Sequence, residues 1–374
     1  MVKKIKILQV NKLYYPDIGG IERTVQHIAE SLKEKTEMSI LVCQPKGIGK
    51  KEIVNGIPVH RCGSFGILFS LPISFSFLWE LRKEARGKDI LQFHAPFPLG
   101  DLAFLLSSYK GKVVLYWHSD VVKQKKLMIL YRPIMKLFLK RVDAIIVGAD
   151  GVIKGSSYLK PYQSKCITIP FAVNDEIEKK GKQYLKDAAP NLTKYCRFLF
   201  VGRLVYYKGI DILLQAFAAV KDAELTVIGS GNLEDKLKCY VDEHGMSDRI
   251  HFLGRVEEKQ LYHAFSSCDV FVLPSIEKSE AFGLVQLEAM AYGKPVINTN
   301  LPSGVPEVSI HGITGLTVEP GNVQDLRNAM QWIINHPEER CIMGKEARKR
   351  LESCYTINVM SDKILKLYEE LLKA

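Results

Sequence analysis

Apolar residues along this chain cluster in short runs, and between the runs they recur at helical spacing. The first run, over 5–10, predicts a strand. Ile21, Val25, Ile28, Ala29 and Leu32 follow at three- and four-residue intervals, which predicts an amphipathic helix over 21–33. Further strands are expected at 39–43, 90–93, 113–117, 144–147 and 166–169. Short apolar runs separated by helical segments indicate a parallel sheet with helices on both faces. The alternation restarts at 197. Strands are expected at 197–201, 225–228, 250–252, 270–273, 296–299 and 316–318, with helices over 210–220, 233–244, 259–267, 282–291 and 323–335. This rhythm suits βα units rather than a solenoid.

A polar stretch over 172–195 separates the two series and reads as a linker. A chain of 374 residues also exceeds the usual size of one domain. The expected organisation is a first lobe at 1–172 and a second at 195–355. The closing helix, 356–374, is expected to pack back on the first lobe. Two doubly wound α/β lobes would leave a cleft where the strand C-termini meet.

Charge sharpens this division. The first 174 residues carry 27 Lys and Arg against 13 Asp and Glu, and the remainder carries 25 against 28. The basic excess therefore belongs to the first lobe and points to an anionic partner there. No nucleic-acid recognition module is evident. The eight cysteines form no C-x-x-C pair, so a zinc ribbon or redox motif is unsupported and a reducing compartment is the simple reading. The most apolar stretch, 65–81, holds Pro72 and several serines and makes a poor spanning helix.

The candidate chemistry is concentrated in the second half. The strand at 197–201 ends in Gly202 and Arg203, and Lys208 and Gly209 precede the next helix. A turn between a strand end and a helix start is a natural anion site, so Arg203 and Lys208 are candidates to face a diphosphate. Two solvated loop cations read as well from these residues alone. Gly229 and Gly231 mark a similar turn but form no G-x-G-x-x-G fingerprint. The strongest local feature is Ser279-Glu280-Ala281-Phe282-Gly283-Leu284, followed by Glu288. Gly283 permits close backbone approach, and a helix starting after Glu280 would offer N–H groups to an anion. Glu280 could accept hydrogen bonds from sugar hydroxyls and Glu288 from a ribose diol. An acidic helix start is the plain alternative, although Glu288 lies in an apolar context where a carboxylate wants a polar partner.

Glu280 and Glu288 match the E-x7-E motif of retaining GT-B glycosyltransferases. The run 201–211 resembles their donor-diphosphate loop, and Phe252-Leu253-Gly254-Arg255-Val256 resembles the segment beside the nucleobase. Gly304-Val305-Pro306-Glu307 and 312–315 also fit, so the span from about 198 to 318 is similar to the large family 4 group. The resemblance implies a GT-B fold of two Rossmann-like lobes. It implies that Arg203 and Lys208, beside Gly202, neutralise the leaving diphosphate, while the backbone at Ala281, Phe282, Gly283 and Leu284 binds its oxygens. It implies that Glu280 orients the transferred sugar, Glu288 holds the ribose, and Arg255 and Val256 lie against the base. No Asp-x-Asp follows a strand, so neither a metal nor any cofactor beyond the donor is implied.

In the first lobe Gly19 and Gly20 lie between the first strand and its helix, where the family brings backbone close to the donor phosphate. His118 follows the strand at 113–117, and the family has a histidine there near the sugar or acceptor. Asp120 and Lys123 are assigned to the acceptor side, and His94 is a weaker cleft candidate. Residues 121–142 carry seven cations and no acid, and Leu127, Leu130, Ile134, Leu137 and Phe138 interleave with the cations at roughly helical spacing. A basic amphipathic helix can dock on anionic lipid, and 65–81 could add apolar contact; a solvated helix with a buried stripe reads equally well.

The expectation is therefore a retaining, metal-independent hexosyltransferase of surface polysaccharide synthesis, peripheral at the cytoplasmic face of the plasma membrane. Its donor would be GDP-mannose ahead of a UDP-sugar, and its acceptor a lipid-diphosphate-linked saccharide or glycan. No catalytic base is identified, because the two-carboxylate logic of glycosidases does not transfer. A nucleotide-sugar epimerase of the same fold, or a non-catalytic scaffold binding nucleotide-sugar or membrane, are the alternatives.

Overall fold

The computed structural model describes residues 4–17, 19–69, 71–120, 125–187 and 195–373, and all their side chains except those of 125–128 and 187. The chain opens with β1 (Ile5–Val10), α1 (Gly20–Leu32) and β2 (Thr36–Cys43). Two hairpins follow, β3 (Lys50–Val54) with β4 (Ile57–Cys62) and β5 (Ile67–Leu68) with β6 (Leu71–Pro72). Next come α2 (Ser76–Glu84), β7 (Ile90–Ala95), α3 (Pro98–Ser107), β8 (Lys112–Trp117), α4 (Lys125–Arg141), β9 (Ala144–Val147), α5 (Asp150–Gly155) and β10 (Cys166–Thr168). The second series runs α6 (Asp175–Asp187), β11 (Cys196–Val201), α7 (Ile210–Ala218), β12 (Ala223–Ile228), α8 (Glu234–Glu243), β13 (Ile250–Gly254), α9 (Glu258–Ser267) and β14 (Val270–Val272). It continues with α10 (Val285–Ala291), β15 (Val296–Thr299), α11 (Val305–Val308), β16 (Gly315–Val318), α12 (Val323–Asn335) and α13 (Pro337–Cys354). The last helix is α14 (Ile357–Lys373).

Two compact units result, Met1–Phe171 with Ile357–Ala374, and Ala172–Thr356. In the first unit the strand order is β10-β9-β8-β7-β1-β2-β4-β3, parallel except for β3. Strands β7 to β10 extend the sheet to one side of β1, and β2 and β4 to the other. The winding therefore changes direction between β1 and β7. In the second unit the order is β13-β12-β11-β14-β15-β16, all parallel, and the direction changes between β11 and β14. The β7 strand is buried at all six positions and β14 at all three, as expected for strands covered on both faces. Phe198, Phe200, Leu213, Leu214, Phe217 and Met330 pack the core of the second unit.

Two sequence expectations change. The stretch read as a linker holds α6, which belongs to the second unit. Only Ile177 and Gly181 are buried along its described positions, so its apolar face is too sparse to show a helical period. The helix expected at 282–291 begins at Val285, because Gly283 adopts a φ of 71° that a helix cannot accommodate. Among the described residues no helix is long and apolar enough to cross a membrane.

The packing of α6 on α10 can be tested at Gly181. A Cβ there would collide with the carbonyl of Ala291, the last residue of α10. Helix propensity alone favours Ala over Gly by about 0.5–1 kcal/mol. Overpacking costs about 1–3 kcal/mol. Gly181→Ala should therefore lower the urea midpoint of unfolding despite its better propensity; a higher midpoint would show that α6 does not pack closely on α10.

Candidate functional site

In the second unit, β13, β12, β11 and β14 are adjacent and parallel, so their C-terminal turns share one edge. Those turns carry Arg255, Ser230, Gly202 with Arg203, and Ser275. Residues Tyr206–Lys208 form a single 3-10 turn, and Gly209 closes it at a φ of 64°. A side chain at Gly209 would collide with the carbonyl of Pro274, so this turn lies directly against the segment after β14. Ile276 N–H donates to the Tyr207 carbonyl at 2.9 Å, and the Tyr206 hydroxyl donates to Glu277 at 2.8 Å.

This lacing brings Lys208 to Glu280. The ammonium and the carboxylate form an ion pair, and both side chains are nearly nine-tenths buried. Ser275 Oγ also donates to Glu280 Oε2 at 3.3 Å. A pair this dry is held together because losing either partner would strand the other charge away from water. Arg203 is exposed; it donates to the Tyr207 hydroxyl at 2.7 Å, with its guanidinium 5.8 Å from that ring's centre. Lys208 Nζ also lies 5.8 Å from the Tyr207 ring. Tyr207 therefore contacts both cations, a role that spacing along the chain does not reveal.

The rest of the donor set divides. Gly202 N–H is committed to the Ile228 carbonyl at 2.9 Å, so this glycine offers close approach rather than a free donor. Arg255 is exposed and donates to Ser230 Oγ at 2.8 Å, which ties the β13 turn to the β12 turn; Val256 beside it is half-buried. The carbonyls of Ala281, Phe282, Gly283 and Leu284 accept from Gly304, Gln286 Nε2, Gln286 N–H and Leu287 respectively. The turn from 281 to 284 is thus fastened by its carbonyls. Glu288 is half-buried on α10, and its charge adds to the burial that raises the Tyr262 and Tyr292 hydroxyls.

Beneath the turn lies a polar scaffold that the sequence reading missed. Gln286 and Asn298 are fully buried. Asn298 Nδ2 donates to Gln286 Oε1 at 2.9 Å and to the Val305 carbonyl at 2.9 Å, and Thr317 donates to Asn298 Oδ1 at 2.8 Å. Thr299 Oγ1 donates to the Ser275 carbonyl at 2.6 Å.

In the first unit, Gly19 caps α1 and Gly20 is its first residue, exposed to solvent. His118 follows β8 and is buried, its ring stacked on Tyr116, His94 and Phe171 at 4.8, 5.2 and 5.3 Å between centres. Its Nε2 lies 2.9 Å from His94 Nδ1, and His94 Nε2 lies 2.8 Å from Gln9 Oε1. Burial pulls the His94 pKa down to about 3. Burial, then His94 and Lys12, hold His118 well below the usual histidine range. His94 is therefore bonded to His118 rather than being a separate cleft candidate. Asp120 Oδ1 accepts from Trp117 Nε1 at 3.1 Å and Ser156 Oγ at 2.7 Å, so that oxygen fastens the β8 end to α5. Lys123 lies outside the described residues.

Among the described residues one group has metal-like spacing, His60, Glu80 and Glu84, with potential ligand atoms within 4.8 Å of one another. Lys51 donates to Glu84 at 2.6 Å and His60 Nδ1 lies 3.0 Å from the same oxygen, so this carboxylate is already engaged. The group lies on β4 and α2, not with the residues above.

Residues 18–170 match the family described as Glycosyltransferase Family 4, and residues 182–350 match Glycosyl transferases group 1. The chain is 30% identical to the O-antigen chain mannosyltransferase C of Escherichia coli, over 99% of this chain and 100% of that protein. It is 32% identical to the D-rhamnosyltransferase WbpZ of Pseudomonas aeruginosa, over 94% of this chain and 92% of that protein. The solved sucrose-phosphate synthase of Thermosynechococcus elongatus shares the fold, with a TM-score of 0.77 at 22% identity over 99% of this chain and 100% of that one. Two full-length relatives, two family matches and a GT-B neighbour agree with the switch-point geometry of both sheets: this chain belongs to the GT-B glycosyltransferases of family 4, with a group 1 domain in its second half.

Proposed function

We propose that this glycosyltransferase is a retaining hexosyltransferase that moves mannose from GDP-mannose to a lipid-diphosphate-linked saccharide in surface polysaccharide synthesis. The observation that carries the reading is the buried Lys208–Glu280 pair at the strand edge, with Arg203 beside it. As the glycosidic bond breaks, negative charge grows on the departing diphosphate. Lys208 and Arg203 are fixed cations that would stabilise it without a metal. Glu280 would hold Lys208 and accept from the sugar hydroxyls, and Glu288 would hold the ribose. Arg255 and Val256 would border the base, and Ala281, Phe282, Gly283 and Leu284 the phosphates. Gly19 and Gly20 would let backbone approach the donor, with His118 facing the sugar or acceptor. The names of the Escherichia coli and Pseudomonas aeruginosa relatives favour a mannose-type sugar, and the former an O-antigen chain.

The first unit would meet the anionic inner membrane face. The apolar residues of α4 split between two sides of the helix. Tyr131, Met135, Phe138 and Leu139 are buried, whereas Ile129, Leu130 and Leu137 are exposed beside exposed Arg132, Lys136 and Lys140. Exposed Phe65, Phe75 and Trp79 add a second apolar patch around β5, β6 and α2. Apolar side chains rimmed by cations suit an anionic lipid interface.

Removal of either cation should slow transfer by roughly 10²–10³-fold, the scale of one lost charge-stabilising donor. The two should differ in stability. Arg203→Ala, at an exposed residue, should leave the melting temperature nearly unchanged. Lys208→Ala strands Glu280 and should cost about 3–5 kcal/mol. Radiolabelled transfer and thermal unfolding measure both, and wild-type activity in either variant would sink the reading. Activity should survive EDTA.

GDP at a hundredfold excess over its Kd should raise stability by about 2.7 kcal/mol, with UDP weaker at equal concentration. A stronger UDP response would reassign the donor. Flotation with anionic vesicles should fall for Leu130→Ser/Lys136→Glu/Lys140→Glu, and unchanged flotation would count against docking through α4.

A further inference from the structure

Five buried polar residues of the first unit, Gln9, Gln92, His94, His118 and Tyr368, form one hydrogen-bonded chain. Gln9 on β1 lies opposite Gln92 on β7, and His94 is two residues beyond Gln92, on the same face of the sheet. Tyr368 reaches them from α14. Its hydroxyl bonds to Gln92 Oε1, and Gln9 Nε2 donates to it at 3.3 Å. Gln9, Gln92, His94 and Tyr368 are all fully buried.

The proton positions follow link by link. The Tyr368 hydroxyl has one hydrogen, which goes to Gln92 Oε1, so its lone pair takes the Gln9 amide hydrogen. Two groups meet His94 Nε2: Gln9 Oε1, which can only accept, at 2.8 Å, and Gln92 Nε2, which can only donate, at 3.5 Å. The shorter contact decides, since 3.5 Å is the outer limit of a hydrogen bond, and it requires a hydrogen on His94 Nε2. His94 is neutral, since burial disfavours its charged form and no carboxylate is bonded to it among the described residues, and a neutral imidazole has a single N–H. Its Nδ1 is therefore bare. The 2.9 Å contact to His118 then requires His118 to donate from Nε2. His118 is buried and neutral as well, which leaves its Nδ1 without a proton.

We infer that Gln9, His94 and Tyr368 are positioning residues that hold His118 with its proton on Nε2, leaving Nδ1 as a hydrogen-bond acceptor for a substrate hydroxyl. The inference rests on His118 being the substrate-facing end of the chain, as proposed above. It excludes His118 as a proton donor through Nδ1, and it ties the ring to a helix more than 200 residues away in sequence. The opposite polarity would need both glutamine amides turned over and would put the His118 proton on Nδ1.

Nitrogen-15 NMR of the full-length protein labelled at its nine histidines reads this directly. The His118 and His94 signals are assigned by their loss in His118→Gln and His94→Gln. The expected result at neutral pH is a protonated Nε2 and a bare Nδ1 on His118. Tyr368→Phe removes the one hydroxyl that sets the polarity. It should pull the two His118 nitrogen shifts toward each other and lower kcat roughly five- to tenfold, with KM for the donor nearly unchanged. A proton on His118 Nδ1, a charged ring, or Tyr368→Phe with wild-type shifts and kcat overturns the inference. His118→Ala separates it from the reading beneath it. Wild-type transfer by that variant removes His118 from the substrate site whatever its ring protons do, and takes the substrate-facing half of the inference with it.

Discussion

Lys208 and Glu280 are opposite charges taken out of water together, and the second unit is arranged around keeping them so. In a parallel sheet every strand ends at the same edge. Where neighbouring strands wind in opposite directions, the connections diverge and leave that edge open. Here the opening lies between β11 and β14. The turn after β11 carries Lys208, and the segment after β14 carries Glu280. Their attraction draws the two connections together across the gap, and the contacts of Ile276 with Tyr207 and Tyr206 with Glu277 keep them there. Desolvation makes the pair worth little to stability as a pair, yet costly to break. The arrangement thus keeps a cation in place at an edge where an unpaired ammonium would otherwise turn out to solvent.

The first unit meets the same topological opening with neutral groups. Its winding changes between β1 and β7, and Gln9 and Gln92 face each other across that boundary. A buried neutral chain carries no net charge to attract a phosphate. What it fixes is direction, since each hydrogen bond dictates which atom of the next residue carries the proton. The cost of an unsatisfied buried polar atom, about 1–3 kcal/mol, enforces that order along the chain. The α14 helix is needed to complete it, because the Tyr368 hydroxyl accepts from Gln9 and donates to Gln92, whereas the other route between them, through His94 Nε2, includes a contact of 3.5 Å. The two units therefore offer different chemistry at equivalent places, one suited to an anion and the other to hydroxyl groups.

What could be read from sequence follows from this physics. Strands buried on both faces appear as continuous apolar runs, so β1, β7, β8, β9, β11 and β15 were legible to within two residues. The β3–β4 hairpin lies at the sheet margin, where exposed lysines interrupt the run, and it was not. Helix α6 buries too few side chains to show a period. Lys208, Arg203 and Glu280 were legible because a charged residue beside a glycine turn or in a spaced motif stands out. Tyr207, Gln286 and Asn298 were not. Their importance lies in the partner each one meets, and those partners come from other strands or turns. His94 shows the limit most clearly. As a residue after an apolar run it is a weak candidate of its own, and only the fold brings its ring into contact with His118.

The apolar residues of α4 fall into two groups rather than the one stripe that their spacing predicts. A helix buries a single face against its own sheet, and Tyr131, Met135, Phe138 and Leu139 fill that face. Leu130 and Leu137 are seven residues apart and lie on the other side, together with Ile129. A fully exposed leucine forgoes about 1.5–3 kcal/mol relative to a buried one. Ile129, Leu130 and Leu137 are all more than half exposed and so contribute little to the packing of this unit. Their neighbours Arg132, Lys136 and Lys140 oppose self-association of like copies by charge repulsion, while favouring a surface that is both anionic and apolar. An acidic protein face would satisfy the cations but leave the leucines wet. A lipid interface satisfies both at once, because headgroup charge and hydrocarbon lie within one side-chain length of each other.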